Sequence, residues 1–186
     1  MGVGGKPLLK NRWFWVAAVL VLVLDRLTKF WVEQTFTLTT PPESWPIIPG
    51  VFHFTYVINT GAAFSMFQNS PWLRWLSLLV SLGLALFAIF GPRLMIWEAW
   101  GYGLLLGGAL GNGVDRFAMG HVTDFLDFRL INFPVFNIAD VAINVGIGCL
   151  AIATYLITRR ERQEKLAQQQ QDSQNGSDSD SSTQGG

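Results

Sequence analysis

Residues 107–144 read GGALGNGVDRFAMGHVTDFLDFRLINFPVFNIADVAIN and set a group of carboxylates and amides between two apolar segments. The polar members of this stretch are Asp115, Asp124, Asp127, Asp140, Asn112, Asn132, Asn137 and Asn144. A carboxylate at the centre of a membrane helix costs about 2.5–3.5 kcal/mol on insertion scales. Acids that stand beside apolar segments therefore indicate a functional site.

The composition points to a membrane protein. Half of the residues are hydrophobic and 14% are charged, whereas soluble domains carry about 25% charged residues. The formal net charge is zero, so the chain has no electrostatic footprint for nucleic acid and we expect no such partner. The single cysteine, Cys149, leaves neither an internal disulfide nor a cysteine-based metal site.

Four apolar segments are long enough to cross a bilayer at about 20 residues per crossing. We predict helices over about 13–32, 72–90, 96–112 and 139–157. Residues 37–65 are rich in Thr, Pro and Gly, and Val51–Ile58 alternates roughly as a strand does. The sequence predicts an α-helical membrane protein with four transmembrane helices and a small extramembrane β-sheet on the outer side.

Basic residues lie at the two ends of the predicted helical region. They are Lys6, Lys10 and Arg12 before the first helix, and Arg159, Arg160, Arg162 and Lys165 after the fourth. The positive-inside rule then places both termini in the cytoplasm. We divide the chain into a cytoplasmic N-terminus (1–12), a four-helix membrane domain (13–158) and a cytoplasmic basic segment with a disordered tail (159–186).

In this topology Asp25, Asn59, Asp124 and Asp140 all fall near the outer face, although they come from separate segments. Two carboxyl groups in contact share a proton, so one can activate a water while the other donates a proton or hydrogen bond. We take Asp124 and Asp140 as the candidate pair. The chain has no HExxH and no GxSxG motif, and we expect no metal and no cofactor.

The same residues also have structural interpretations. Asp140 follows Asn137 by three positions at a helix start, so the two can stabilise the helix N-terminus. Asp124 also fits a solvated loop acid, and Asp127 fits a solvated or structural one. Asp115 and the adjacent Arg116 suggest an ion pair at a helix end.

Other functional classes remain open at this point. Acids within a membrane also mark small transporters and proton relays, although here they gather at one face. A presenilin-type aspartyl protease carries Gly-x-Gly-Asp, and GNGVD has one residue too many. A structural membrane subunit leaves the acids unexplained.

Five blocks of sequence together carry a family resemblance. They are LDRLTKFWV (Leu24–Val32), NTGAAFS (Asn59–Ser65), GGALGNGVDR (Gly107–Arg116), VTDFLDF (Val122–Phe128) and FPVFNIADVAIN (Phe133–Asn144). In this order, the blocks make the chain resemble bacterial lipoprotein signal peptidase, also called signal peptidase II, over about residues 12–158.

The resemblance implies a membrane-embedded aspartic endopeptidase of the bacterial plasma (inner) membrane, with its site near the outer face. Such an enzyme removes signal peptides from prolipoproteins by cutting before a cysteine that carries diacylglycerol, so the implied partners are that substrate and membrane lipids. By position, the catalytic pair is Asp124 and Asp140. The implied supporting residues are Asn112, Arg116, Asn137, Asn59, Asp25, Lys29 and Gly108.

Overall fold

The structure is a computed structural model that describes residues 10–61, 70–131 and 133–183. Its elements in chain order are α1 (Arg12–Thr35), β1 (Ser44–Ile48), β2 (Phe52–Asn59), α2 (Trp72–Phe90), α3 (Ile96–Ala118), β3 (Val122–Phe128), a 3₁₀ helix (Arg129–Ile131) and α4 (Ile138–Thr183). The chain is mostly helical and carries one antiparallel sheet in the order β1-β2-β3. It divides into two compact units, Met1–Leu150 and Ala151–Gly186, and the sheet lies in the first.

Two of the four long helices are apolar enough over their length to qualify as membrane crossings in the part of the chain that is described. They are α2 and the portion of α4 over Ile138–Gln169. The other two contain charged residues, among them Asp25 and Lys29 in α1 and Asp115 and Arg116 in α3. Hydropathy therefore supports only part of the predicted four-crossing arrangement.

The predicted helix over 72–90 coincides with α2, and the predicted strand Val51–Ile58 corresponds to β2. Residues 62–65 of the predicted outer segment lie outside the described residues, as do residues 1–9 at the N-terminus. The strand β3 was not predicted. Its sequence VTDFLDF lacks strict alternation, and it is buried along most of its length because neighbouring elements cover both faces.

The fourth helix is longer than predicted, because α4 continues to Thr183, into the segment for which we predict a disordered tail. Once a helix exists, each added residue gains a hydrogen bond without a new nucleation cost. The Arg, Glu, Lys and Gln residues that follow the apolar part of α4 are good helix formers. The helix therefore extends beyond the predicted end at about residue 157.

Glycines on α3 allow its neighbours to approach closely. A Cβ added at Gly107 would lie 2.7 Å from the carbonyl oxygen of Ala18 in α1. A Cβ at Gly108 would lie 2.6 Å from the carbonyl oxygen of Ala139 at the start of α4. Small residues at such contacts are typical of helix packing in membranes. Gly108 thus acts through packing, since it lets the start of α4 lie against α3.

Asn11 ties the start of α1 to the connection between α2 and α3. Its side chain is buried, and its Nδ2 donates to the carbonyl oxygens of Ala88 (3.0 Å) and Pro92 (3.2 Å). Its Oδ1 accepts from the backbone N–H of Leu94 at 3.0 Å. One side chain therefore satisfies three backbone groups at this end of the helices.

We expect Asn11→Ala to lower the free energy of unfolding by about 1–3 kcal/mol, because buried backbone groups lose their partners. The measurement is a thermal unfolding midpoint in detergent. The control is Thr28→Ala, since the hydroxyl of Thr28 donates to carbonyls of its own helix, those of Leu24 and Asp25. Equal midpoints for the two variants would contradict the role given to Asn11.

Candidate active site

Asp124 lies in β3, where its Cα is paired with that of Val57 in β2. The neighbouring Phe125 is buried in one cluster with Val32 and Phe36, which lie at the C-terminal end of α1. Since successive strand residues point to opposite faces, this packing turns Asp124 to the other side of the strand. Its side chain is only 2% exposed.

Asp140 lies in the first turn of α4 and forms a reciprocal pair with Asn137. Asn137 Oδ1 accepts from the backbone N–H of Asp140 at 3.1 Å, and Asp140 Oδ2 accepts from the backbone N–H of Asn137 at 3.2 Å. This arrangement is a capping box. The helix-start interpretation of Asp140 is therefore confirmed, and it is compatible with a second role.

Asn137 connects the two candidate aspartates. Its side chain is fully buried, and its Nδ2 donates to Asp124 Oδ1 at 2.6 Å and to Asn112 Oδ1 at 3.0 Å. Because its backbone N–H also bonds to Asp140, a single residue contacts both carboxylates.

The interpretation of Asp124 as a solvated loop acid is wrong, since it is buried in a strand.

Two further amides complete the contacts of the pair. Asn112 of α3 donates through Nδ2 to Asp140 Oδ1 at 2.8 Å. Asn59, at the end of β2, donates through Nδ2 to Asp124 Oδ2 at 2.9 Å, and its Oδ1 accepts from the backbone N–H of Gly61. Each carboxylate thus accepts hydrogen bonds from two donors. The turn interpretation of Asn59 holds as well.

A buried ion cluster lies behind Asn112. Lys29 Nζ lies 2.9 Å from Asp25 Oδ2, 2.7 Å from Asp115 Oδ2 and 3.0 Å from Asn112 Oδ1. Arg26 also contacts both acids. The expected pair of Asp115 with its neighbour in sequence is corrected here: Asp115 faces α1, and successive residues of a helix point about 100° apart.

Arg116 faces the opposite way, toward the segment that follows β2. Its Nη2 donates to the carbonyl oxygen of Gly61 at 3.0 Å and its Nη1 to that of Asn112 at 3.4 Å. It therefore holds the backbone just beyond Asn59. Asp127 stands apart from this group: it accepts from Thr55 and pairs with Arg129 on the sheet, as the structural interpretation predicted.

These polar groups line a cavity of about 670 Å³, which is in the range of small-ligand sites. Its polar wall comprises Asn59, Thr60, Asn112, Arg116, Asp124, Asp140 and Asn144. Its apolar wall includes Phe133, Val141, Ile143 and Val145. The structure thus brings the two predicted aspartates to one cavity with an amide-rich side and an apolar side.

The environment of Asp124 changes its protonation. Burial, and then the nearby charge of Asp140, raise the pKa of Asp124 to about 7, against the lowering effect of its bonds to Asn59 and Asn137. A carboxyl group with this pKa is half protonated near neutral pH. It can therefore donate a proton under physiological conditions.

One contact at this site was not anticipated from the sequence. Glu33, near the end of α1, accepts through Oε1 from the hydroxyl of Thr123 at 2.7 Å. Thr123 immediately precedes Asp124 and is fully buried. The available signal is the position of Glu33, eight residues after Asp25 and four after Lys29.

Comparison with known proteins gives consistent matches. A family model described as Signal peptidase (SPase) II matches residues 17–156. A protein named lipoprotein signal peptidase from Thermosynechococcus vestitus is 67% identical over 143 residues, which are 76% of this chain and 90% of that protein. Another of that name from Microcystis aeruginosa is 64% identical over 147 residues, covering 78% of this chain and 94% of its own length.

A solved structure shows the same fold. It is described as a bacterial membrane enzyme determined by the in meso method at 2.3 Å resolution. It superposes with a TM-score of 0.70 and 29% identity, covering 77% of this chain and 87% of the other.

Proposed function

The chain belongs to the signal peptidase II family, and from this premise we propose that it cleaves diacylglyceryl-modified prolipoproteins just before the lipidated cysteine. Asp124 and Asp140 form the catalytic pair in this proposal. The observation that carries it is the position of Asn137, which is fully buried and bonded to both carboxylates at one cavity.

We assign different roles to the two aspartates. Asp140 lies at the N-terminus of α4, where the helix dipole and a backbone N–H favour a negative charge. Asp124 lies on a strand, and its pKa of about 7 lets it hold a proton at neutral pH. Asp140 is therefore the general base and Asp124 the general acid.

The reaction follows from these roles. Asp140 takes a proton from a water, and the water oxygen bonds to the scissile carbonyl carbon while Asp124 gives its proton to the carbonyl oxygen. Asp140 then gives its proton to the leaving nitrogen as the C–N bond breaks, and Asp124 takes back the proton of the hydroxyl that it formed. Both aspartates thus return to their starting states. This route uses two carboxylates and water, with no metal and no cofactor.

The amides and the arginine support this chemistry by position. Asn59, Asn112 and Asn137 fix the directions of the carboxylate oxygens. Arg116 lines the cavity and is held by the Gly61 carbonyl, so its guanidinium is placed to meet a carbonyl of the substrate. Lys29 supports the pair indirectly by bonding to Asn112, and Asp25 does so by bonding to the backbone at the start of α4.

We propose that all four helices cross the bacterial plasma (inner) membrane, with both termini cytoplasmic and the site near the outer face. The charges of α1 support this, because Asp25 and Lys29 are buried against Asp115 of α3 instead of facing lipid. The exposed side of α1 is apolar and includes Val19 and Leu27, which are 59% and 60% exposed. Intramembrane ionisable groups paired inside a bundle are tolerated in this way.

The apolar wall of the cavity suits the lipid on the substrate. Val141 and Val145 lie on α4 and are exposed, beside the cavity that Asp140 lines. Each CH₂ group of an acyl chain contributes about 0.8 kcal/mol when it leaves water. A lipid held by the bilayer and this wall would fix the scissile bond beside the two aspartates, which is an orientation effect.

The test is cleavage of matched precursors. We expect purified protein to cut a prolipoprotein peptide that carries diacylglyceryl-cysteine and to leave its unlipidated counterpart intact, with the new N-terminus at the lipidated cysteine. Mass spectrometry of the products measures both. Equal cleavage of the two precursors, or a cut elsewhere, would contradict the proposed substrate.

The pH profile provides a second test. Because the reaction needs protonated Asp124, whose pKa is about 7, we expect kcat/KM to fall as the pH rises above about 7. The amide of Asn59 stabilises ionised Asp124, so Asn59→Ala should raise this pKa and move the alkaline limb to higher pH. Asn11→Ala, far from the site, is the control. A shift of the limb to lower pH would refute the assignment.

A further inference from the structure

We propose that Glu33 is a positioning residue. Together with Asp25 and Lys29 it forms a polar stripe on one side of α1, and this stripe holds β3 and α4, the elements that bear Asp124 and Asp140, at a fixed separation. The inference rests on the proposed catalytic pair. It adds a residue that the family resemblance does not assign, and it gives the stripe a single function.

The stripe follows one side of α1. Its members are spaced by four residues, so they lie along one flank of the helix over about 12 Å. Earlier in α1 the buried residues are apolar, such as Phe14, Ala18 and Val21. The buried side therefore changes from apolar to charged where α1 reaches the site.

The first member of the stripe fixes α4. Asp25 Oδ1 accepts from the backbone N–H of Ala139 at 3.2 Å, one residue before Asp140. A Cβ added at Gly111 would lie 2.6 Å from Asp25 Oδ2, so a glycine there leaves room for the carboxylate between α3 and α4. Asp25 thus anchors the helix turn that carries Asp140.

The second member fixes the orientation of an amide. Lys29 Nζ and Asn137 Nδ2 both donate to Asn112 Oδ1. With its oxygen held on that side, Asn112 turns its NH₂ group to Asp140, 2.8 Å away. Lys29 therefore sets which end of Asn112 meets Asp140.

The third member fixes β3. Glu33 Oε1 accepts from the hydroxyl of Thr123 at 2.7 Å, and the adjacent Val32 packs in one cluster with Phe125. Thr123 and Phe125 are the residues on either side of Asp124 in sequence. One polar and one apolar contact from α1 therefore hold the strand around Asp124.

The consequence concerns geometry. Asp124 and Asp140 lie on separate elements, β3 and α4, and Leu130 and Ile131 of the 3₁₀ helix between them are largely exposed. The backbone of Phe136, just before α4, pairs directly with Phe125 and Leu126 of β3, and the contacts of α1 hold both elements from a second side. Misplacement of about 1 Å can cost about 10²-fold in rate.

The test compares Glu33→Leu with Glu33→Gln. We expect Glu33→Leu to lower kcat about ten- to a hundredfold with KM nearly unchanged, since the cavity remains while the pair is misplaced. Glu33→Gln keeps an oxygen that can accept from Thr123, so it should restore kcat to within a few fold of wild type. Glu43→Leu, which removes an acid just before β1, at the opposite edge of the sheet from β3, is the matched control and should leave kcat unchanged.

A double-mutant cycle isolates the contact. Thr123→Val removes the same hydrogen bond from the other side, so we expect it to lower kcat and to add little to Glu33→Leu. Thr123 also bonds to the hydroxyl of Tyr56, so Tyr56→Phe accompanies the cycle and should leave kcat unchanged. If Glu33→Leu fails to fold, Thr123→Val alone carries the test, and wild-type kcat in that variant overturns the proposal. Wild-type kcat for Glu33→Leu, equal losses for the Gln and Leu variants, or additive losses in the cycle would also overturn it.

The two hypotheses fail in different ways. An inactive wild-type protein on the lipidated precursor would contradict the proposed function itself. An active wild-type protein with an unimpaired Glu33→Leu variant would contradict only the positioning role.

Discussion

Asp124→Asn and Asp140→Asn are each expected to lower kcat for the lipidated precursor by about 10²–10⁴-fold, the usual contribution of a general acid or base. Asparagine has nearly the same shape as aspartate, so the packing around the cavity should survive. An amide at position 124 has no labile proton of suitable pKa, and one at position 140 cannot accept a proton from water. The measurement is the initial rate of signal-peptide release, with the thermal unfolding midpoint as the check on folding.

Asp127→Asn is the matched control for the pair. Asp127 lies on the same strand as Asp124, but its partners are Thr55 and Arg129 on the sheet. We expect the rate of this variant to stay within a few fold of wild type. Wild-type rates from either variant of the pair, or an equal loss from Asp127→Asn, would refute the assignment of Asp124 and Asp140.

Asn137→Ala is the second change with a large expected effect, about 10²-fold or more in kcat. Its side chain and backbone contact Asp124, Asn112 and Asp140. Alanine removes the side-chain donor to Asp124, the donor to Asn112 and the acceptor that caps α4. Asp124 then loses a donor, while Asp140 keeps the backbone N–H of residue 137 but loses the cap that holds the start of α4. The measurement is kcat with saturating lipidated precursor.

Asn11→Ala separates this effect from a loss of stability. Asn11 is also buried and also makes three side-chain hydrogen bonds. Its bonds join the start of α1 to the end of α2 and to the connection that follows α2. We expect both variants to lower the unfolding midpoint and only Asn137→Ala to lower kcat strongly. Parallel losses of kcat in the two variants would show that Asn137 acts through stability alone.

Much of the site was predictable because it is built from short ordered blocks. The family resemblance drawn from those blocks is confirmed by the family model and by the relatives. The blocks also named residues that the structure places on one cavity, including Asn59 and Asn112, and the buried Asn137 that bonds to Asn112. Polar residues in apolar surroundings must find one another, so their positions carry information about contacts.

Other features depend on tertiary contacts that no local pattern encodes. The strand β3 forms because β2 pairs with it and Phe125 packs against α1, and its own sequence alternates poorly. Asp115 finds Lys29 instead of its neighbour Arg116, because the rotation of α3 against α1 decides which residue faces inward. The contact of Glu33 with Thr123 joins residues that are 90 positions apart.

The buried lysine has a consequence for biosynthesis. Lys29 bonds to Asn112, 83 positions later in the chain, and at roughly 5–20 residues per second the ribosome needs roughly 4–17 s to reach it. Until then the charges of Lys29 and Asp25 can be offset only by other charges of α1, among them Arg26 and Glu33. In the proposed topology we therefore expect the first helix to stay at the membrane-integration machinery until α3 is synthesised.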